Sequence, residues 1–142
     1  GPLPDGAKPA LIESLLGKPT SKSKISHYDG EAPFGAYSQT WRYVDKGLEL
    51  TIHGRDPKLE TGYMSNIVAT AGSPFTSRLG IGVGSSEADA RAAYGPLLNT
   101  ETSTPHFLAI GWEWTFLVFE VRGGKVVKAA YGFKALPAER EE

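Results

Sequence analysis

The sequence predicts an α+β fold in which two tandem α-β-β-β repeats build one antiparallel sheet and both helices lie on one face. Three observations carry this reading. Two short helical stretches, 9–16 and 86–95, each stop at a Gly followed closely by Pro: Gly17-Lys18-Pro19 and Gly95-Pro96. Each is followed, after a link, by an aromatic pair on an alternating strand, Trp41-Arg-Tyr43 and Trp112-Glu-Trp114. Two further strand fragments then match in order, Leu50-Thr-Ile52 with Phe119-Glu-Val121 and Ile67-Val-Ala69 with Val127-Lys-Ala129. Two such units have one economical solution, a shared sheet on which each helix buries its apolar stripe. The repeats run over 9–72 and 80–134 of a single domain spanning 1–142, with 1–8 and 135–142 expected as flexible tails.

In chain order, the first helix covers Pro9 to Leu16, and Leu11, Ile12, Leu15 and Leu16 form one stripe expected to be buried. Residues 20–24 are an exposed Ser-Lys loop, and residues 27–36, with Asp29-Gly30, Pro33 and Gly35, are a long irregular connection. Ser38 to Val44 alternates, Asp45-Lys46-Gly47 turns, and Leu48, Leu50 and Ile52 share one face of the returning strand. A second exposed loop at 54–62 leads to a third strand at 64–71. The central stretch Gly80-Ile-Gly-Val-Gly-Ser-Ser86 is a connector into the second helix. Ser86-x-x-Asp89 supplies a capping box, and Gly95 is expected in the left-handed conformation that ends a helix. Although glycines before a helix can cradle phosphate, no buried strand precedes these and no Lys-Ser/Thr pair follows, so a structural connector is the expectation. Beyond the Thr-rich link 98–105, strand residues run from Phe107 to Arg122, Gly123-Gly124 marks a two-residue hairpin, and Lys125 begins the last strand.

Composition bounds the function. The 142 residues suffice for one core without staples, and there is no cysteine, which removes disulfides and thiol chemistry. With 15 basic and 16 acidic residues, a net charge of −1 offers no footprint for nucleic acid. No apolar run reaches the roughly 18 residues that span a membrane. The start, Gly1-Pro2 without a Met, reads as a cleavage scar, so a native leader is expected to have been removed.

The helix ending in Gly and Pro, the Trp-x-aromatic strand, the alternating strand, the Gly turn and the Val-x-x strand together resemble the unit of the β-lactamase-inhibitor-protein-like fold. The step Gly80-Ile-Gly-Val-Gly-Ser-Ser86 is similar to the helix entry of the BamE/SmpA family of outer-membrane lipoproteins, which carry one such unit. The resemblance implies binding of other proteins in the bacterial cell envelope, by inhibition or in assembly, without catalysis. The expected function is therefore a non-catalytic protein-binding module of inhibitor or toxin-immunity type, periplasmic or anchored at the outer membrane. The alternatives are a BamE-like assembly scaffold and a small hydrolase or ligand-binding domain.

No catalytic, cofactor or metal residue is assigned. His27, His53 and His106 lack ligand spacing, no nucleophile elbow exists, and Glu113 and Glu120 look like solvated strand positions. Trp41, Trp112 and Trp114 serve either the core or an interface. The expected partner surface is the sheet face away from the helices, rimmed by the loops 27–37 and 54–63. It draws Tyr28, Phe34, Tyr37 and Tyr63 from the loops, and Arg42, His53, Glu113 and Glu120 from outward strand positions.

Overall fold

A computed structural model describes residues 7–29, 35–101, 103–111 and 115–133. Among them the chain is α+β, with two α-helices and one antiparallel sheet of eight strands. The elements are α1 (Pro9–Leu16), β1 (Ser21–Lys22), β2 (Ser26–His27), β3 (Tyr37–Tyr43), β4 (Leu48–Gly54), β5 (Tyr63–Ala69), α2 (Glu87–Tyr94), β6 (Phe107–Gly111), β7 (Thr115–Arg122) and β8 (Lys125–Phe133). Their order across the sheet is β1-β3-β4-β5-β8-β7-β6, with β2 also pairing β3. Two three-stranded meanders, β3-β4-β5 and β6-β7-β8, thus meet at β5 and β8. No helix among the described residues is long and apolar enough to cross a membrane.

Turn chemistry sets the hairpins. Between β3 and β4 a short 3-10 turn, Val44–Lys46, ends at Gly47 with φ 59° and ψ 35°, where a side chain would run into the carbonyl oxygens of Thr70 and Ala71. Gly123 and Gly124, with φ of 56° and 77°, meet the demand of a two-residue turn for positive φ at both central positions. Alternation then places the core: Leu48, Leu50 and Ile52 of β4 are buried while Glu49 is exposed. Across the sheet, Trp41, Ile67, Ala129, Phe119 and Leu108 lie on the same inward side and belong to one buried cluster. Ile12 of α1 and Ala90 and Tyr94 of α2 join that cluster. The Tyr94 ring sits 5.7 Å from Phe119, and its hydroxyl donates to Ser77 Oγ at 2.6 Å. Tyr43 donates to the Gly17 carbonyl at 2.8 Å, and burial, with Glu13 nearby, pushes its phenol up to about 12.

Two expectations are corrected. The stripe of α1 is only half used, since Ile12 is buried and Leu16 packs against the core, whereas Leu11 and Leu15 are 42% and 54% exposed. At about 100° per residue, Leu11 and Leu15 lie well to one side of the Ile12–Leu16 line on which the helix rests. Gly95 is not left-handed; its φ of −46° and ψ of −52° are right-handed helical, and the chain continues through a 3-10 turn, Gly95–Leu97. The reason for glycine is the next residue. Pro disfavours a helical conformation in any predecessor that carries a Cβ, and Gly95 has none. Ala7, inside the stretch expected to fray, is buried, and its carbonyl accepts from Met64 N at 2.7 Å. Residues 1–6 and 135–142 of the expected tails lie outside the described residues.

The loop after β4 is ordered around one carboxylate. Asp56 Oδ1 accepts from the amides of Lys58 (2.9 Å) and Glu60 (3.2 Å), and Oδ2 from the amide (3.0 Å) and hydroxyl (2.7 Å) of Thr61. This arrangement turns Leu59 inward at φ 58°, 4% exposed.

Three outcomes are expected. Trp41 is 3% exposed, so Trp41→Ala is expected to lose about 3–5 kcal/mol in a denaturant melt. A Cβ at Gly95 meets nothing within 4 Å outside its chain neighbours, so the obstacle to alanine is Pro96. In a Pro96→Ala background, Gly95→Ala is expected to stabilise by about 0.4–1 kcal/mol, a gain that the wild-type background lacks; a double-mutant cycle measures the difference. The hydrogen bonds from Thr61, first its hydroxyl, together with the Glu60 and Lys58 amides, lower the Asp56 carboxyl from 3.8 to about 2. Because the folded value is the depressed one, its contribution is complete above the unfolded value near 3.8 and is lost as pH falls through about 2. NMR should show the 58–61 amides shifting together with a midpoint near 2.

Candidate functional site

The sheet's outward side carries a continuous surface. Antiparallel register aligns one row across six strands, Arg42, Glu49, Val68, Ala130, Val118 and Ala109. A second row beside it runs Thr40, Thr51, Asn66, Gly132, Phe116 and Gly111. Both rows are polar over β3 and β4; from β5 to β6 they are apolar apart from Asn66, and small apart from Phe116. Val68, Ala130, Val118, Phe116 and Ala109 are all partly exposed, and Phe107 is 40% exposed. In the second row, Asn66 lies across the Gly132 backbone, where a side chain would collide with its Oδ1 and with a Phe116 ring carbon. The Asn66 Oδ1 is buried there without a hydrogen-bond partner. Glycine at 132 is thus required by what crosses it.

The residues anticipated for binding are divided by this geometry. Arg42 and His53 lie on the outward side, Arg42 Nε bonding Glu49 Oε2 at 3.0 Å. Tyr63 stands opposite His53 in the pairing of β4 with β5, and burial raises its phenol against the opposing pull of Arg55. Glu120 shares the outward parity, bonded by Arg122 at 3.2 Å, but it lies four strands from Arg42, about 19 Å at the usual strand spacing. Tyr37 has the parity of Trp41 and Tyr43, opposite to Arg42, and its ring sits 4.7 Å from that of His27, which pairs Asp29 at 3.0 Å. Tyr28 is 62% exposed on the loop. Phe34 and Glu113, like Trp112 and Trp114, lie outside the described residues.

One Ser-His contact sits on this side. The register slips between Thr51 and Ile52, leaving Ser65 as the extra residue of a bulge. Ser65 Oγ lies 2.5 Å from His53 Nδ1 and donates to the Thr51 carbonyl at 3.3 Å. Which of Ser65 Oγ and His53 Nδ1 donates in this contact follows the imidazole tautomer. Burial lowers the His53 pKa, and Ser65 is 4% exposed. The contact with His53 and the bond to the Thr51 carbonyl engage the Ser65 hydroxyl within the bulge.

The glycine stretch before α2 is committed elsewhere. The amides of Gly80, Gly82 and Gly84 donate to Ser77 O, Ser85 Oγ and Val126 O. At the helix start, Glu87 N donates to Gly124 O and Asp89 N to the Ser86 cap at 3.0 Å. The Gly84 and Glu87 amides tie the start of α2 to the β7–β8 hairpin, and the others close the connector on itself. Among the described residues, no group of three or more His, Asp or Glu could hold a metal ion.

An open depression of about 250 Å³ lies on the inward side, between α1, β1, β3, β4 and the Asp56 loop. Its floor includes Trp41 and Ile52, and Glu13, Lys22, Lys58 and Glu60 stand around it. No sequence signal marked this site, because its residues come from five separate segments. The apolar outward band did leave a signal: Ile67-Val-Ala69, Leu117-Val-Phe119 and Ala129-Ala-Tyr131 are apolar without alternation, as in strands apolar on both faces.

No protein-family model and no curated protein matches the sequence. Among solved structures, a cysteine-rich secretory protein (SAV1118) from Staphylococcus aureus is similar, with a TM-score of 0.54 and 12% identity over 92% of this chain. The match covers 44% of that protein's chain, so the present chain spans less than half its length. At this identity the likeness concerns the fold alone.

Proposed function

We propose that this chain is a non-catalytic protein-binding module whose partner docks on the outward face of the sheet. The observation that carries the reading is the aligned, partly exposed row Val68-Ala130-Val118-Ala109, bordered by Arg42 and Glu49. Small apolar side chains let another surface approach the strands closely, and a polar border suits the rim of an interface. The charges on either side, Arg42 with Glu49 and Arg122 with Glu120, are largely satisfied within the chain. They favour one partner by complementarity and add little long-range attraction.

We read the two meanders as copies of one α-β-β-β unit over 9–72 and 80–134, with both helices above the inward face. The mirrored order β3-β4-β5 and β8-β7-β6 supports this, as does the presence of Ile12, Ala90 and Tyr94 in one core cluster. An envelope setting, periplasmic or at the outer membrane, and an inhibitory or immunity role rest on the sequence resemblance.

Crosslinking in a native envelope extract is expected to capture one stoichiometric protein. Val118→Glu and Ala130→Glu should each abolish that capture while shifting the melting temperature by only a few degrees, and Tyr63→Ala should weaken binding by about 1–3 kcal/mol. Wild-type capture by both glutamate variants would refute the surface.

A further inference from the structure

The depression against α1 stands on the sheet side opposite to the proposed docking face, since Trp41 and Ile52 alternate with Arg42 and His53. Its polar core is already engaged in recognition of a cation. Lys22 Nζ lies 4.2 Å from the centroid of the Trp41 ring and 3.3 Å from Glu13 Oε1, so one ammonium touches both an aromatic face and a carboxylate. The Trp41 ring is fixed beneath it, because Nε1 donates to Gln39 Oε1 at 2.9 Å and Gln39 Nε2 donates to the Ser23 carbonyl at 2.9 Å. Lys22 itself is loosely held. It belongs to a two-residue edge strand, and its side chain is 41% exposed beside an open volume of about 250 Å³.

We propose that this depression binds the guanidinium of an arginine side chain from a protein partner, and that Lys22 is the chain's own occupant of the site. An ammonium is a point charge that meets Glu13 through one contact. A planar guanidinium stacks on Trp41 while donating two parallel hydrogen bonds to the Glu13 carboxylate, so it outcompetes Lys22 for the same two groups. Glu60 and Lys58 also line the depression, so the entering cation meets Glu13 as its main carboxylate. Displacing Lys22 costs little, because an exposed ion pair of this kind contributes little and the released ammonium returns to water. A volume below the roughly 300 Å³ at which small-molecule sites begin fits one side chain better than a whole metabolite.

The test is an NMR titration that follows the Trp41 indole N–H and the amides of 10–13 and 58–60. The probes are Nα-acetylarginine amide, Nα-acetylnorleucine amide, agmatine and the peptide Gly-Gly-Arg-Gly-Gly. The acetylarginine probe is expected to saturate the wild-type protein in the millimolar range, with norleucine inert and the peptide binding at least as tightly as agmatine. Lys22→Ser should tighten the arginine probe about threefold or more by removing the internal competitor, and Glu13→Gln should weaken it about tenfold. Both positions are surface ones, and dispersed spectra establish that the variants fold. No saturable shift in Lys22→Ser, weaker binding than wild type in that variant, or unchanged binding in Glu13→Gln would overturn the site. A peptide bound more weakly than agmatine would overturn the protein origin of the arginine.

Discussion

The pairing of β5 with β8 is the constraint on which the rest depends. Four aligned positions, Asn66 with Gly132, Ile67 with Tyr131, Val68 with Ala130 and Ala69 with Ala129, join two meanders into one sheet. Each meander alone would leave its last strand as an unpaired edge and its inward side chains half covered. Joined, they let Leu50, Ile67, Tyr131 and Leu117 follow one another across the inward side, so that residues from α1 and α2 share a single core. The junction is built from small residues: Ala69, Ala129, Ala130 and Gly132 let the side chains beside them reach over the backbone, and Asn66 does so at Gly132.

The same economy shapes the outward side. Alanine and glycine on β8 keep the centre of that surface low and apolar, while charged pairs stand toward its margins. The bulge at Ser65 changes the alternation of β5 near this surface, and it brings Tyr63 opposite His53. Its polar groups are satisfied locally, which leaves the apolar row as the chemically distinctive part of the face. A docking partner would gain there from exclusion of water by small side chains more than from new ion pairs.

The edges of the sheet are guarded differently. On β6, Leu98 bridges Ile110, and Ser103 Oγ and Asn99 N bond the Ala109 backbone, so this margin is covered by the preceding link. On β3, the two short strands β1 and β2 cover the backbone, and an edge this short, with Lys22 in β1 and Lys24 between the two strands, discourages further strand addition. That cover has a second consequence, because it sets Lys22 over Trp41 and beside Glu13. The Asp56 loop closes the other side of the depression by holding Leu59 inward with Lys58 and Glu60 outside it.

Local rules determined the elements themselves. The span Pro9–Leu16 of α1, the Ser86 cap of α2, the Gly123-Gly124 turn and the alternation of Leu48, Leu50 and Ile52 each follow from neighbouring residues alone, and each was legible in the sequence. What needed the tertiary structure was anything set by contact between distant segments. Which part of the α1 stripe is buried depends on how the helix is rotated on the sheet, so Leu11 and Leu15 lie exposed beside a buried Ile12. Tyr37 falls on the side opposite to Arg42 because of strand parity in a loop-flanked strand whose register is set by pairing with β4. The depression joins α1, β1, β3, β4 and the Asp56 loop, and no spacing along the chain encodes such a meeting. Even at Gly95 the residue type was readable while its conformation was not, since the right-handed turn into Pro96 is selected by how the chain leaves α2 toward β6. Secondary structure answers to near neighbours. Sites and faces answer to packing, which only the folded chain resolves.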